Sequence, residues 1–204
     1  MKLKSLLVAA SLFATTAFTA TAFAEDTAPD ALVKNTAEEV LTIVKADKDI
    51  QAGNTRKVVE LVEAKVLPHF DFNRMTRLAM ARNWSKANDS QKAAITQEFK
   101  TLLVRTYSVS LAQYRNQKIS YTPAKVGAED KDVTVKTTVV QPGGQGIPID
   151  YKMEKTPEGW KVFDISVEGV SLVTNYRGEF NTLIERSGVD GLIKSLSEKN
   201  KAAK

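Results

Sequence analysis

The sequence predicts an α+β fold: an antiparallel sheet of about four strands packed against a mainly N-terminal helical layer, with further helices at the C-terminus. Two observations predict it. Apolar residues recur every three to four positions through the first half of the chain, and after Gln117 the period changes to two. Helices first and strands second, without alternation, favour an antiparallel sheet with one face under helices and the other facing water.

From Ala31 to Ile50, Val33, Ala37, Val40, Leu41 and Val44 share one helical face, with Asp30 placed as N-cap and Gly53 as the stop. A second helix runs from about Thr55 to Leu67, carries Val58, Leu61, Val62 and Val66 on one side, and ends at Pro68. The two form a helical hairpin. A short helix begins near Asp71 and mixes large apolar residues with Arg74, Arg77 and Arg82. Asn88 to Gln91 supplies the next cap, and the longest helix, about Ser90 to Arg115, presents Ile95, Phe99, Leu102, Leu103, Thr106, Tyr107, Ser110, Leu111 and Tyr114 on one broad face.

Strands follow. Val133, Val135, Thr137 and Val139 alternate with polar residues, as do Ile147, Ile149, Tyr151 and Met153, and the run Gln141 to Gly146 turns between them. Thr156 to Gly159 leads into a strand from Trp160 to Val167, and Ile119 to Val126 is a weaker first strand. A meander joins them. A helix from about Ser171 to Arg186, a stop at Gly188 and a short helix over Asp190 to Lys199 complete the chain.

At its start, Lys2 and Lys4 precede an apolar stretch from Leu6 to Ala20, and Ala22-Phe23-Ala24 stands before Glu25 and Asp26. This is the pattern of a secretory signal with an A-x-A cleavage site, and the stretch is too short for a membrane span. Residues 1–24 therefore read as a signal peptide and 25–204 as one domain: mainly helical over 25–118, mainly strands over 119–168, helices over 169–204. Cleavage removes two of the 29 Lys and Arg residues, leaving 27 against 24 acidic ones and lowering the formal charge from +5 to +3. Too little basic charge remains for a nucleic-acid footprint. With no cysteine and one histidine, His69, thiol chemistry, disulfides and His-rich metal sites are excluded, and no cofactor motif appears.

Catalytic constellations are thin. His69 and Asp71 supply two parts of a Ser-His-Asp set, yet Asp71 stands where a helix N-cap belongs. Asp164 and Glu168 could be paired carboxylates, against the simpler reading of surface or cap groups. Arg74, Arg77 and Arg105, with Arg115 and Lys118 beyond them, form a basic rim suited to phosphate groups or acidic partners, if they are not merely a solvated helix face. On both the sheet's inner face and the long helix, small or hydroxyl-bearing residues interrupt large ones, which suits a cavity lining better than an interlocked core.

Two stretches carry a resemblance: Val66 to Trp84 with Glu98 to Ser108, and Gly169 to Phe180. They resemble the MlaC family, the toluene-tolerance auxiliary family of periplasmic phospholipid-binding proteins, and the similarity spans nearly the whole mature chain. One departure is Met80-Ala81, where the family pattern is Leu-Gly, a change that reads as conservative. The resemblance implies an NTF2-like fold with a curved sheet around an internal apolar cavity. It also implies a soluble periplasmic carrier that shuttles glycerophospholipid between an outer-membrane lipoprotein–porin complex and an inner-membrane ABC transporter bearing an MCE-domain ring, supporting outer-membrane lipid asymmetry. The expected tail-binding residues are Leu103, Thr106, Tyr107, Leu111, Val135, Val139, Ile149, Tyr151 and Met153, with Val170, Leu172, Val173 and Tyr176 closing one end. Arg74, Arg77 and Arg105 are the expected partner or headgroup contacts. The alternative is an NTF2-like periplasmic enzyme, an isomerase or hydrolase acting on an apolar substrate through His69 or Asp164.

Overall fold

The computed structural model describes residues 27–114, 117–140 and 143–202. The expected signal peptide and Arg115 lie outside them. The helices α1 (Pro29–Ala46), α2 (Lys48–Gln51), α3 (Thr55–Lys65), α4 (Phe72–Met80) and α5 (Asp89–Ala112) come first. The strands β1 (Lys118–Thr122), β2 (Asp132–Val140), β3 (Ile147–Thr156), β4 (Gly159–Val167) and β5 (Val170–Ser171) follow, and α6 (Leu172–Ala202) closes the chain. Among the described residues no helix is long and apolar enough to cross a membrane.

The expected first helix is two helices. Asp47 ends α1 in an extended conformation and caps α2, its carboxylate accepting from the N–H groups of Asp49 and Ile50. Asp30 is not the N-cap of α1. Ala28 holds that position, Pro29 fills the first turn where no N–H is needed, and Asp30 Oδ2 instead accepts from the Ala124 N–H at 3.1 Å, tying α1 to the loop after β1. Asn54 caps α3 through the Lys57 N–H, and Asp71 caps α4 through the Arg74 N–H at 2.8 Å. At α5, Asn88 and Gln91 form a full capping box. Gly188, at φ 71° and ψ −177°, breaks α6 into two helical segments, as its place in the sequence suggests.

Ala81 shows that the Met80-Ala81 departure is not conservative locally. It sits at φ 47° and ψ −125°, where α4 gives way to a 3₁₀ turn over Ala81–Lys86. That region belongs to the first central residue of a type II′ turn, which glycine occupies without steric cost and alanine does not. Ala81→Gly is expected to raise stability by about 1 kcal/mol, or about 2–4 °C in Tm for a chain of this size. Thermal unfolding followed by circular dichroism checks it.

The sheet has the order β1-β2-β3-β4-β5, antiparallel throughout. It is the expected meander plus a two-residue fifth strand. Thr156 to Gly159 forms the β3–β4 turn, with Gly159 at φ 99°. Val139 pairs Ile147 and Val135 pairs Tyr151, so the apolar set of each strand falls on one face. A register shift between Lys152 and Met153 sets Lys152 opposite Asp164 but Met153 opposite Val162, leaving Phe163 as the extra residue. The bulge lets Ile165 and Val162 face the same side although they are three apart.

The core is divided. Met75, Ile95, Phe99, Phe180, Leu192 and Leu196 join α4, α5 and α6. Val40, Val44, Ile50, Val58 and Val104 join α1, α2, α3 and α5. Val33, Val135, Met153, Trp160 and Val162 lie beneath the sheet. Between these clusters the interior is hollow.

Candidate lipid-binding site

The hollow is a cavity of about 600 Å³. Protein interiors are packed like organic crystals and hold few voids larger than a water molecule, so a space of this size is a feature of the fold. It lies within the range of ligand pockets. Its sheet wall is Val139 from β2, Ile147, Ile149, Tyr151 and Met153 from β3, and Val162, Ile165 and Val167 from β4. Opposite stand Leu103, Val104, Tyr107 and Leu111 of α5. A third wall comes from α1, through Leu32, Val33, Thr36, Ala37, Val40 and Leu41.

One end is shut by the segment between α3 and α4. Leu67, Phe70 and Phe72 line it, and the rings of Phe70 and Phe72 stack at 5.7 Å between centroids. The segment is pinned to the sheet, since the Asp71 N–H donates to the Val162 carbonyl at 2.9 Å. Pro68 leaves no room for α3 to continue, which is why the chain turns here into a 3₁₀ turn, Leu67–His69, and delivers both rings to the cavity.

Of the expected tail-binding residues, Leu103, Tyr107, Leu111, Val139, Ile149, Tyr151, Met153 and Leu172 line this cavity. Five others do not. Val135 faces inward as its parity requires, but it is buried among Val33, Met153, Trp160 and Val162, so α1 fills the space before it. Val173 and Tyr176 belong to the helical core, where the Tyr176 ring meets Phe99 edge-on at 5.0 Å. Thr106 is exposed, and Val170 is 60% exposed. The α1 wall and the Phe70–Phe72 end went unassigned by sequence reasoning, although Thr36 and Ala37 in the middle of an apolar face show the same mixing of small and large that marks α5.

The arginines divide. Arg74 turns inward: its guanidinium pairs with Asp132 at 2.9 and 3.0 Å and with Glu154, and stacks 3.5 Å from the centre of the Phe163 ring. It is a structural cation and not part of a free rim. Arg77 is exposed and Arg105 half-buried, and among the described residues neither side chain makes an ion pair or hydrogen bond.

The groups suggested for catalysis are placed otherwise. Asp164 is buried, and its carboxylate accepts from Lys152 Nζ at 3.1 Å, Ser171 Oγ at 2.7 Å and the Val173 N–H at 3.2 Å. It anchors the start of α6. Glu168 is exposed in the turn before β5, at φ 51°, and the two carboxylates form no site. His69 lines the cavity without touching Asp71; burial pushes its imidazole below the ordinary range, and the nearby Lys161 charge adds to this. Among the described residues no side chain hydrogen-bonds to it, and it forms part of the cavity wall.

Comparison with known proteins agrees with this geometry. Residues 34–198 match the model of the family described as MlaC protein. The toluene tolerance protein ttg2D of Pseudomonas putida is 28% identical over 163 residues, covering 79% of this chain and 75% of that protein. The intermembrane phospholipid transport system binding protein MlaC of Haemophilus influenzae is 23% identical over 191 residues, covering 91% and 89%. The solved structure of a phospholipid-binding protein from Ralstonia solanacearum, in complex with a phospholipid, superposes with a TM-score of 0.79 at 42% identity, covering 85% of this chain and 97% of that one. With its matched region running from α1 nearly to the end of α6, the chain belongs to the MlaC family.

Proposed function

We propose that the protein is a periplasmic phospholipid carrier that encloses acyl tails in the cavity, leaves the headgroup at the surface, and shuttles lipid between outer-membrane and inner-membrane complexes. The observation that carries this reading is the hollow itself, walled mainly by apolar side chains from α1, α5 and the sheet. Each methylene removed from water is worth about 0.8 kcal/mol, so ten tail carbons left exposed would cost about 8 kcal/mol. A carrier must therefore enclose the tails. The headgroup keeps its hydration at no cost if it stays outside.

The likeness to a phospholipid-bound relative at 42% identity supports the ligand class. In this reading residues 1–24 are a cleaved export signal and 25–204 one lipid-binding domain. The outer-membrane partner is a lipoprotein–porin complex and the inner-membrane partner an ABC transporter with an MCE-domain ring. Arg77 and Arg105, free of internal partners, are the contacts proposed for acidic partner surfaces or headgroup phosphate. No reaction is assigned to the protein, and direction must come from the partners, since docking shifts loading and release only through differential binding to the two states.

The test is native mass spectrometry of the protein exported with its own signal. The expected result is a mature chain beginning at Glu25 that carries stoichiometric intact phospholipid. A chain carrying no lipid removes the carrier reading, and one carrying lysolipid or fatty acid replaces it with a hydrolase.

A further inference from the structure

The polar groups of the cavity are unevenly placed. Among the described residues, Tyr107, Ser108, Ser110, Gln113, Tyr114 and Gln117 come from one stretch at and just beyond the C-terminal end of α5, whereas the remaining wall contributes only Thr36, His69 and Tyr151. Ser110 and Gln113 are exposed, so this end opens to solvent. Ser108 differs from its neighbours. The residue is 4% exposed, it lines the cavity, and its Oγ is buried without a hydrogen-bond partner.

That orphaned hydroxyl needs a reason, because buried polar groups are nearly always paired. A helical serine has an easy partner in the carbonyl four residues back, and Thr42, Thr76, Thr101, Thr182 and Ser187 all donate to theirs. Ser108 does not. It sits one turn past Val104 and about 7.5 Å along the helix axis from Gln113, between the apolar interior and the exposed polar end.

We infer that Ser108 Oγ is the hydrogen-bond donor for an acyl ester carbonyl of the bound lipid, fixing the glycerol at the C-terminal end of α5 with the headgroup leaving past Ser110 and Gln113. This rests on the carrier reading and extends it. The chemistry matches on both sides. When the tails are enclosed, the ester carbonyls next to them leave water, and they are acceptors only. A serine hydroxyl offers one donor. The same arrangement selects ester-linked over ether-linked lipid, since an ether lacks the carbonyl.

The experiment titrates the delipidated mature protein and its Ser108→Ala variant with a diacyl phosphatidylethanolamine and with the dialkyl ether of the same chains and headgroup, reading bound fractions by native mass spectrometry. Wild type is expected to hold the diester about five- to tenfold more tightly than the diether. Ser108→Ala should weaken the diester by about that factor and leave the diether unchanged. The delipidated variant should melt no lower than wild type, because it loses an unpaired buried hydroxyl. Equal binding of the two lipids by wild type overturns the inference, as does a variant that weakens both lipids alike or neither, or a delipidated variant of lowered Tm. If wild type takes up neither lipid, the carrier reading fails first and the inference with it.

Discussion

Val139→Asp is expected to strip co-purifying phospholipid from the protein, whereas Val140→Asp, one residue along the same strand, is expected to leave it in place. Val139 lines the cavity between Ile119 and Ile147 of the flanking strands, and Val140 points the other way and is 42% exposed. A carboxylate at 139 would face alkyl chain with no partner, costing about 3 kcal/mol or more, a hundredfold or more in affinity. At 140 it would stay in water. Lipid extraction and mass spectrometry of both variants decide the matter, with far-UV circular dichroism as the check on folding. Leu111→Asp, on the opposite wall, should repeat the loss. Lipid retained in both cavity variants with native folding would mean that the tails lie elsewhere.

Arg74→Met should lower the Tm by about 4–8 °C, corresponding to about 2 kcal/mol. Methionine keeps much of the stem over Phe163 but removes the charge that holds Asp132 and Glu154 together. The Arg74 side chain is 19% exposed, so the loss falls below that of a fully buried pair. One Glu154 oxygen is already buried without a partner, and without Arg74 the whole carboxylate would be uncompensated.

The pH dependence carries the signature. The hydrogen bond from Arg74 holds the Asp132 carboxyl below the ordinary aspartate range, so its contribution is present above that range and is lost as pH falls through the depressed value. Burial pushes the Glu154 carboxyl up, so it takes up its proton as pH falls and no longer needs the Arg74 charge. Urea unfolding at pH 7 and at about pH 3 should therefore show the gap between wild type and Arg74→Met narrowing in acid. A gap that stays constant would mean that Arg74 acts by packing alone.

Much of the fold was legible because it rests on local rules. The period change after Gln117 marked where helices give way to strands, Asn88 with Gln91 announced α5, and Gly188 announced the break in α6. Strand parity told Val139, Ile149, Tyr151 and Met153 apart from their polar neighbours. The one wrong cap, Asp30, lies inside a helix that Pro29 already starts, and its carboxylate accepts from the Ala31 N–H and from the Ala124 N–H, 94 residues away. Ala81 looked harmless because sequence displays size and polarity, and the cost there lies in a backbone angle.

By itself, then, the sequence determined which side of each helix and strand is apolar, and through its resemblance which family to expect. It could not determine what stands opposite each apolar side. Val135 and Val139 share one strand and one face, yet Val33 covers the first and open space faces the second. Arg74 reads like Arg77 until Asp132 and Glu154, 58 and 80 residues away, are brought to it. Periodicity fixes direction, whereas filling, pairing and hollowness depend on chain segments distant in sequence, so only the tertiary structure decided where the cavity lies and which hydroxyl on its wall is left without a partner.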